Sequence, residues 1–359
     1  MPRRMVVMRG QRTACGAGRP GVHARIAMII SRTPLRISFV GGGSDLPAYT
    51  QHAAGAVVST TINRYIYITV NPKFDRRIRA SYSQTETVDH VEELKHELIR
   101  EALRTTGIDA AIEITSISDI PSRGTGLGSS SAYTVGLLNA LYAYTGRLAG
   151  AERLAREACA IEIERCGRPI GKQDQYSAAY GGLKHLQFNP DGSVFVDQIV
   201  CDPATRRRLE RSLLLLYTGQ TRRAESILEE QSRNSGDSSA ARGSLCRMAA
   251  MADQLRDALN RSELDGFGEV LHANWEEKRR LATGITNSAL DGWYDLARAR
   301  GAIGGKVLGA GGGGFLLLYA PESRHAEICE ALADLRRLTF HFEPQGSRLI
   351  YVEENGYGG

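Results

Sequence analysis

Pro121-Ser-Arg-Gly-Thr-Gly-Leu-Gly-Ser-Ser-Ser131 is the stretch whose reading decides the fold. Its three glycines, Gly124, Gly126 and Gly128, stand at alternate positions and lead through three serines into an apolar helix running from Ala132 to about Tyr144. A helix N-terminus offers unpaired N–H groups and the positive end of the helix dipole, a natural place for phosphate. Glycines let backbone wrap a polyphosphate without side-chain clash. Serine hydroxyls can cap the helix, donate to phosphate or ligate a metal. A capped helix with a flexible entry accounts for one serine, but not for three glycines plus three serines.

Two more glycine windows lie on either side. The strand pattern Leu35-Arg-Ile-Ser-Phe-Val40 ends in Gly41-Gly42-Gly43, and seven glycines fall between Gly304 and Gly314. Thirteen of the chain's 39 glycines sit in the three windows, beside strand-like segments, which suggests backbone brought close to a ligand. The Walker pattern Gly-x4-Gly-Lys-[Ser/Thr] is absent. Gly309-Ala-Gly311-Gly-Gly-Gly314 matches a dinucleotide fingerprint, but it runs into the strand Phe315–Tyr319 rather than opening a helix. A glycine loop that bends between two strands around something is the better reading.

Outward from the loops, strands are predicted at Val57–Ser59, Tyr65–Val70, Ala111–Ile117 and Leu213–Tyr217, and a last one over 348–353. Helices are predicted over 90–106, 151–166, from about Asp174, and over 221–235, 243–260, 264–282, 287–300 and 322–336. The order suggests an α+β chain of two closely packed domains, 28–205 and 206–359, preceded by a basic leader over 1–27.

The leader carries the formal charge of +5. It holds six arginines and no Asp or Glu, and the remaining chain has 39 Lys+Arg against 40 Asp+Glu. A nucleic-acid partner, which a basic balance would suggest, is therefore not expected. The leader lacks the apolar stretch of a secretory signal and reads as a disordered tail or an early start, with Met28 as the alternative start. No apolar run approaches the ~18 residues of a membrane span. Six scattered cysteines without a Cys-x-x-Cys pair suggest reduced thiols and a cytoplasmic location.

Three motifs in order resemble the GHMP kinases: Pro34-Leu-Arg-Ile-Ser-Phe-Val-Gly-Gly-Gly-Ser-Asp45, Pro121 to Ala132, and Lys306-Val-Leu-Gly-Ala-Gly-Gly-Gly-Gly-Phe315. The resemblance covers about 29–355. It implies a ribosomal protein S5 domain 2-like N-terminal domain and a ferredoxin-like α+β C-terminal domain. Gly-Gly-Gly-Ser-Asp at 41–45, Gly171-Lys-Gln-Asp-Gln-Tyr176 and Tyr217-Thr-Gly-Gln-Thr-Arg222 look like the sugar 1-kinase branch, most like heptose 7-phosphate kinases, with fucokinase-type domains nearby.

That resemblance implies ATP and Mg²⁺, a sugar or sugar-phosphate substrate, and a monomer or homodimer. It assigns the ATP phosphates to Pro121, Gly124, Gly126, Leu127, Gly128, Ser129, Ser130 and Ser131. Ser130 matches the family's metal-ligating serine, and Glu162 is the matching carboxylate, with Glu164 as the fallback. Asp174 matches the catalytic aspartate, which takes or orients the proton of the attacking hydroxyl, and Arg36 matches the cation that holds it. Gly42, Gly43, Ser44 and Asp45 are expected at the sugar, and Gly311, Gly312 and Gly313 at the cleft wall. A phosphate on the acceptor would need a cationic pocket, for which Arg79, Arg123, Lys172 and Arg222 are candidates.

Overall fold

In a computed structural model, residues 28–121, 124–220 and 224–353 are described. The leader, Arg123 and Arg222 lie outside the described residues. The first half of the chain comprises β1 (Ile29–Val40), α1 (Pro47–Thr50), β2 (Gly55–Pro72), β3 (Ile78–Ser81), β4 (Thr85–Val88), α2 (Glu97–Thr106), β5 (Ile112–Ser118), α3 (Ser129–Tyr144), α4 (Ala151–Cys159), α5 (Gln173–Tyr180), β6 (Lys184–Phe188) and β7 (Val194–Gln198). The second half follows with α6 (Pro203–Arg211), β8 (Leu213–Tyr217), α7 (Ala224–Asp237), α8 (Ser239–Asn260), α9 (Phe267–Arg279), α10 (Ser288–Ala299), β9 (Gly304–Val307), β10 (Phe315–Tyr319), α11 (His325–Ala331), β11 (Arg336–Arg337) and β12 (Arg348–Val352). The α+β architecture read from the sequence is the one observed.

One sheet has the order β12-β1-β2-β5-β3-β4, with β6 and β7 continuing from β2; the other has the order β11-β8-β10-β9. The two strands predicted at 57–59 and 65–70 are one long β2. The polar Asn63-Arg64 between them is a bulge: Pro34 faces Tyr65 and the next residue, Leu35, already faces Ile62. Asn63 is held there by His341, whose carbonyl accepts from the Asn63 N–H at 2.9 Å.

The predicted helix over 151–166 is α4 followed by a π-helical turn, Ala160–Arg165. The predicted helix over 322–336 shortens to a 3₁₀ turn and α11, because Arg336–Arg337 pairs with β8 as β11. The predicted helix over 90–106 begins at Glu97, where the His96 imidazole caps the Ile99 N–H.

β12 pairs antiparallel with β1, Val352 opposite Ile29. Ser347, just before it, hydrogen-bonds Thr33 on β1 and Asn139 on α3. A division into 28–205 and 206–359 would therefore leave one strand of the first sheet in the second segment. The halves also share core: Phe39 meets Phe267 edge-on at 5.4 Å, and Leu213, Leu255 and Leu271 join the cluster of the first sheet. A second cluster around Trp275, Leu290 and Leu316 fills the other face of the small sheet. The cleft between the halves is floored by the loops that leave β1, β5 and β9.

Candidate active site

The loop after β5 enters α3 through Gly128, in the left-handed region at φ +72°, which is the N-cap residue and uses no side chain to cap. The serines are therefore not caps. A Cβ at Gly128 would stand 3.1 Å from Arg36 Cγ and 3.3 Å from Asp174 Oδ2, so the missing side chain is what lets this pair close under the helix entry.

Arg36, on β1 and only 3 % exposed, reaches Asp174 in the first turn of α5 with two parallel bonds, Nε to Oδ1 at 2.7 Å and Nη2 to Oδ2 at 2.8 Å. Its Nη1 donates to the Gly126 carbonyl at 2.5 Å, and its backbone N–H donates to the Leu127 carbonyl at 3.0 Å. A fork-to-carboxylate pair of this kind fixes geometry as well as charge. One arginine thus ties the glycine loop to the aspartate.

Glu162 lies in the π-helical turn and is fully buried. The turn buries Ile161 and Glu162 together. The Ser130 hydroxyl donates to Glu162 Oε1 at 2.7 Å, and Gln175 Nε2 donates to Oε2 at 2.7 Å. Arg168 Nη1 donates to Ser130 Oγ at 2.5 Å. Burial pushes the Glu162 carboxyl up, opposed by the Ser131 and Ser130 hydroxyls and by Arg168. Glu164, the fallback, is exposed. One hydroxyl and one carboxylate oxygen in a phosphate-binding loop suit a hard cation that takes its other ligands from phosphate and water. Among the described residues no group of three or more His, Cys, Asp or Glu could hold a metal by itself.

Asp45 is buried and accepts from the N–H groups of Gly43 at 3.0 Å and Gln173 at 3.1 Å. Burial raises its pKa, partly offset by these two bonds, and Asp174 nearby raises it further. Gly171 is required here: a Cβ would sit 1.9 Å from Asp45 Oδ2.

Arg36, Asp45, Gly128, Ser130, Arg168, Gly171 and Asp174 line one cavity of about 1070 Å³, together with Pro121, Gly124, Gly126, Ser129 and Ser131; Glu162 does not border it and is reached through Ser130. An aromatic cluster also lines it, with Tyr82 and His96 4.5 Å apart and His96 and Tyr133 5.3 Å apart.

Several expected residues stand elsewhere. Leu127 is core; it contributes only its carbonyl. Ser44 is fully buried and its hydroxyl is used up on the Gly41 and Ala56 backbone, so it staples the first glycine loop instead of facing ligand. Gly43 borders the cavity, whereas Gly42 packs near Ser38 and Gln173. Gly311, Gly312 and Gly313 close against the Ile285 and Gln220 backbone, and it is Gly309 and Ala310 that border the cavity. Arg79 pairs with Glu113 at 3.2 Å, and Lys172 Nζ donates to the Gly192 carbonyl at 2.8 Å; neither borders the cavity.

Sequence reasoning missed Arg168 and Lys278, both of which border the cavity. Lys278, on α9 and 4 % exposed, donates to the Gly309 carbonyl at 2.6 Å. Burial pushes it down to about 8, against the pull of Asp45 and Asp174. No local motif marks it, since only the fold brings α9 to the first glycine loop. Its charge is present below about pH 8 and lost above. Turnover is therefore expected to fall as pH rises through that value, and Lys278→Arg, which stays charged, to shift the fall upward. A kcat/KM profile with an unmoved basic limb in the variant would show that turnover does not depend on the Lys278 charge. Between about 8 and its ordinary 10.5 the unfolded chain holds a proton that the folded one has lost, so through this group stability rises with pH.

Comparison with known proteins accounts for the constellation. The family model "GHMP kinases N terminal domain" matches residues 91–182 and "GHMP kinases C terminal" matches 255–336. The chain is 29 % identical over 322 residues to the D-glycero-alpha-D-manno-heptose 7-phosphate kinase of Campylobacter jejuni, spanning 85 % of this chain and 93 % of that protein. It is 26 % identical to the bifunctional fucokinase/GDP-fucose pyrophosphorylase of Arabidopsis thaliana, over 82 % of this chain and 30 % of that much longer protein. Among solved structures, a D-glycero-D-manno-heptose 1-phosphate kinase from Bacteriodes thetaiotaomicron superposes with a TM-score of 0.73 at 25 % identity, covering 90 % of this chain and 99 % of that one. With both domain families matched in order around one cleft that joins a glycine loop to an arginine–aspartate clamp, the chain belongs to the GHMP kinases, ATP-dependent phosphotransferases with a hydroxyl acceptor.

Proposed function

We propose that the chain transfers the γ-phosphoryl group of ATP to the anomeric hydroxyl of a sugar phosphate, D-glycero-D-manno-heptose 7-phosphate, in the cytoplasmic supply of nucleotide-activated heptose for surface glycans. The observation that carries the transfer step is the two-bond clamp of Arg36 on Asp174 directly beneath the loop of Gly126 and Gly128. The likeness to the Campylobacter jejuni kinase supports the choice of sugar.

In this reading the amides of 124–131 receive the ATP phosphates and the aromatic cluster of Tyr82, His96 and Tyr133 receives the base. Ser130 and Glu162 would hold Mg²⁺, which when bound neutralises charge on the phosphates. Asp174 accepts the proton of the attacking hydroxyl, or orients that hydroxyl towards the phosphorus. Arg36 fixes the aspartate and offsets charge on the transferred group. Asp45, an acceptor-only carboxylate anchored by two backbone bonds, holds sugar hydroxyls.

One observation favours a second reading. Arg79 and Lys172, two candidates for a substrate phosphate, are engaged elsewhere, which leaves Arg168 and Lys278 as the described cations beside Arg36 on the cavity wall. An unphosphorylated sugar, as in a fucokinase- or galactokinase-like enzyme, would need no further cation. Purified protein with ATP and Mg²⁺, offered heptose 7-phosphate, fucose and galactose separately, decides. Heptose 7-phosphate is expected to give the highest kcat/KM, and turnover of a free sugar alone would transfer the assignment to the second reading.

A further inference from the structure

One wall of the cavity is formed by α7, and a buried side-chain amide on it has no partner among the described residues. Glu225, Leu228 and Gln231 recur every three residues along one face of that helix and all three border the cavity. Gln231 is 1 % exposed, and among the described residues neither its amide nitrogen nor its amide oxygen is hydrogen-bonded. Buried side-chain amides are ordinarily satisfied, so one whose donor and acceptor both lack a partner on a residue that borders a cavity points to something that arrives there.

The position of the amide says what arrives. A Cβ at Gly43 would lie 2.2 Å from Gln231 Nε2, so the glycine is what admits the amide to the first loop. The Gly43 N–H in turn donates to Asp45 Oδ1, which puts Gln231 next to the buried carboxylate at the sugar end of the cleft. Leu228 and Leu245 supply apolar neighbours, which makes an unmet hydrogen bond there more consequential than it would be in water. Asp45 can only accept from hydroxyls, Lys278 can only donate, and Gln231 alone in this group does both.

We propose that Gln231 is a specificity-determining residue that reads hydroxyl groups of the acceptor, as donor to one oxygen and acceptor from another. This assigns part of acceptor recognition to the second half of the chain, away from the three glycine motifs. It rests on the kinase reading of the cleft, not on heptose being the sugar. A site built to hydrogen-bond a substrate hydroxyl rejects the analogue that lacks it far more strongly than an apolar pocket discriminates by size.

The test is Gln231→Met, close in length and without polar groups to satisfy. With whichever alcohol the wild type phosphorylates, the acceptor KM is expected to rise roughly ten- to a hundredfold, with the KM for ATP within twofold. Thermal stability of the free protein should hold or rise, because an unsatisfied buried amide is removed. In a series of singly deoxygenated acceptors, the position that matters to the wild type should stop mattering to the variant. The rise in Tm that a saturating acceptor gives the wild type should shrink in the variant, a readout that needs no turnover. An acceptor KM within twofold of wild type overturns the proposal. So does a loss of Tm with acceptor and ATP affinities falling together, which would make Gln231 a packing residue. If the wild type takes galactose instead of heptose 7-phosphate, the choice of sugar fails and the Gln231 comparison is made on galactose.

Discussion

Asp174→Asn is expected to lower kcat by about a hundred- to ten-thousandfold while nucleotide binding stays within a few-fold of wild type. Asparagine keeps the size of the side chain, so α5 and the loop above it need not move. What changes is the pairing. The Arg36 fork now meets one oxygen and one NH2 group, where it met two oxygens at 2.7 and 2.8 Å. The hydroxyl of the acceptor loses its only carboxylate within the clamp. In the proposed reading nucleotide contacts come from the loop amides and from Ser130, whose hydroxyl bonds Glu162 and Arg168 and not Asp174. Single-turnover rates with separate titration of nucleotide binding check this. Unchanged turnover would remove Asp174 from the chemistry, and loss of nucleotide binding would show that the clamp is mainly structural.

Gly126→Ala is expected to cost about 2–4 kcal/mol of stability and to remove most activity. Gly126 is at φ +76°, a conformation that side chains disfavour, and a Cβ there would come 2.4 Å from the Leu308 carbonyl oxygen. The reverse holds at Gly309, where a Cβ would come 2.5 Å from Gly126 Cα. The two glycine loops, nearly two hundred residues apart in sequence, therefore pack backbone to backbone. The carbonyl of Gly126 also receives Arg36 Nη1, so a displaced loop would misplace the clamp. Chemical denaturation and kcat report the two effects separately. A stable, active alanine variant would mean that the loops can part freely, contrary to the contact described.

Glycine clusters and alternation made the first loops and most strands legible in the sequence, because backbone proximity and burial are written locally in residue type. The same local reading failed at Asn63-Arg64, where two polar residues looked like a break and are a bulge inside one strand. The family resemblance placed Ser44 at the sugar and Gly311 to Gly313 at the cleft wall, when the first staples its own loop and the others pack on Ile285 and Gln220. A motif specifies which backbone must come close to something, and here that something is partly the protein itself. Lys278, Arg168 and Gln231 were illegible for a different reason. Each sits on an ordinary helix or loop, and only long-range packing turns it towards the cleft.

The pairing of β12 with β1 has a consequence for how the protein is made. A ribosome delivers Ile29 more than three hundred residues before Val352, yet the two are neighbours across one sheet. Until the final strand emerges, β1 presents an unpaired edge, and the hydroxyl of Thr33 and the amide of Asn139 await Ser347. Among the described residues, the half of the molecule that carries Gly124 to Gly128 is thus synthesised early and completed late, so a nascent chain can shelter the Arg36–Asp174 clamp well before its sheet is closed.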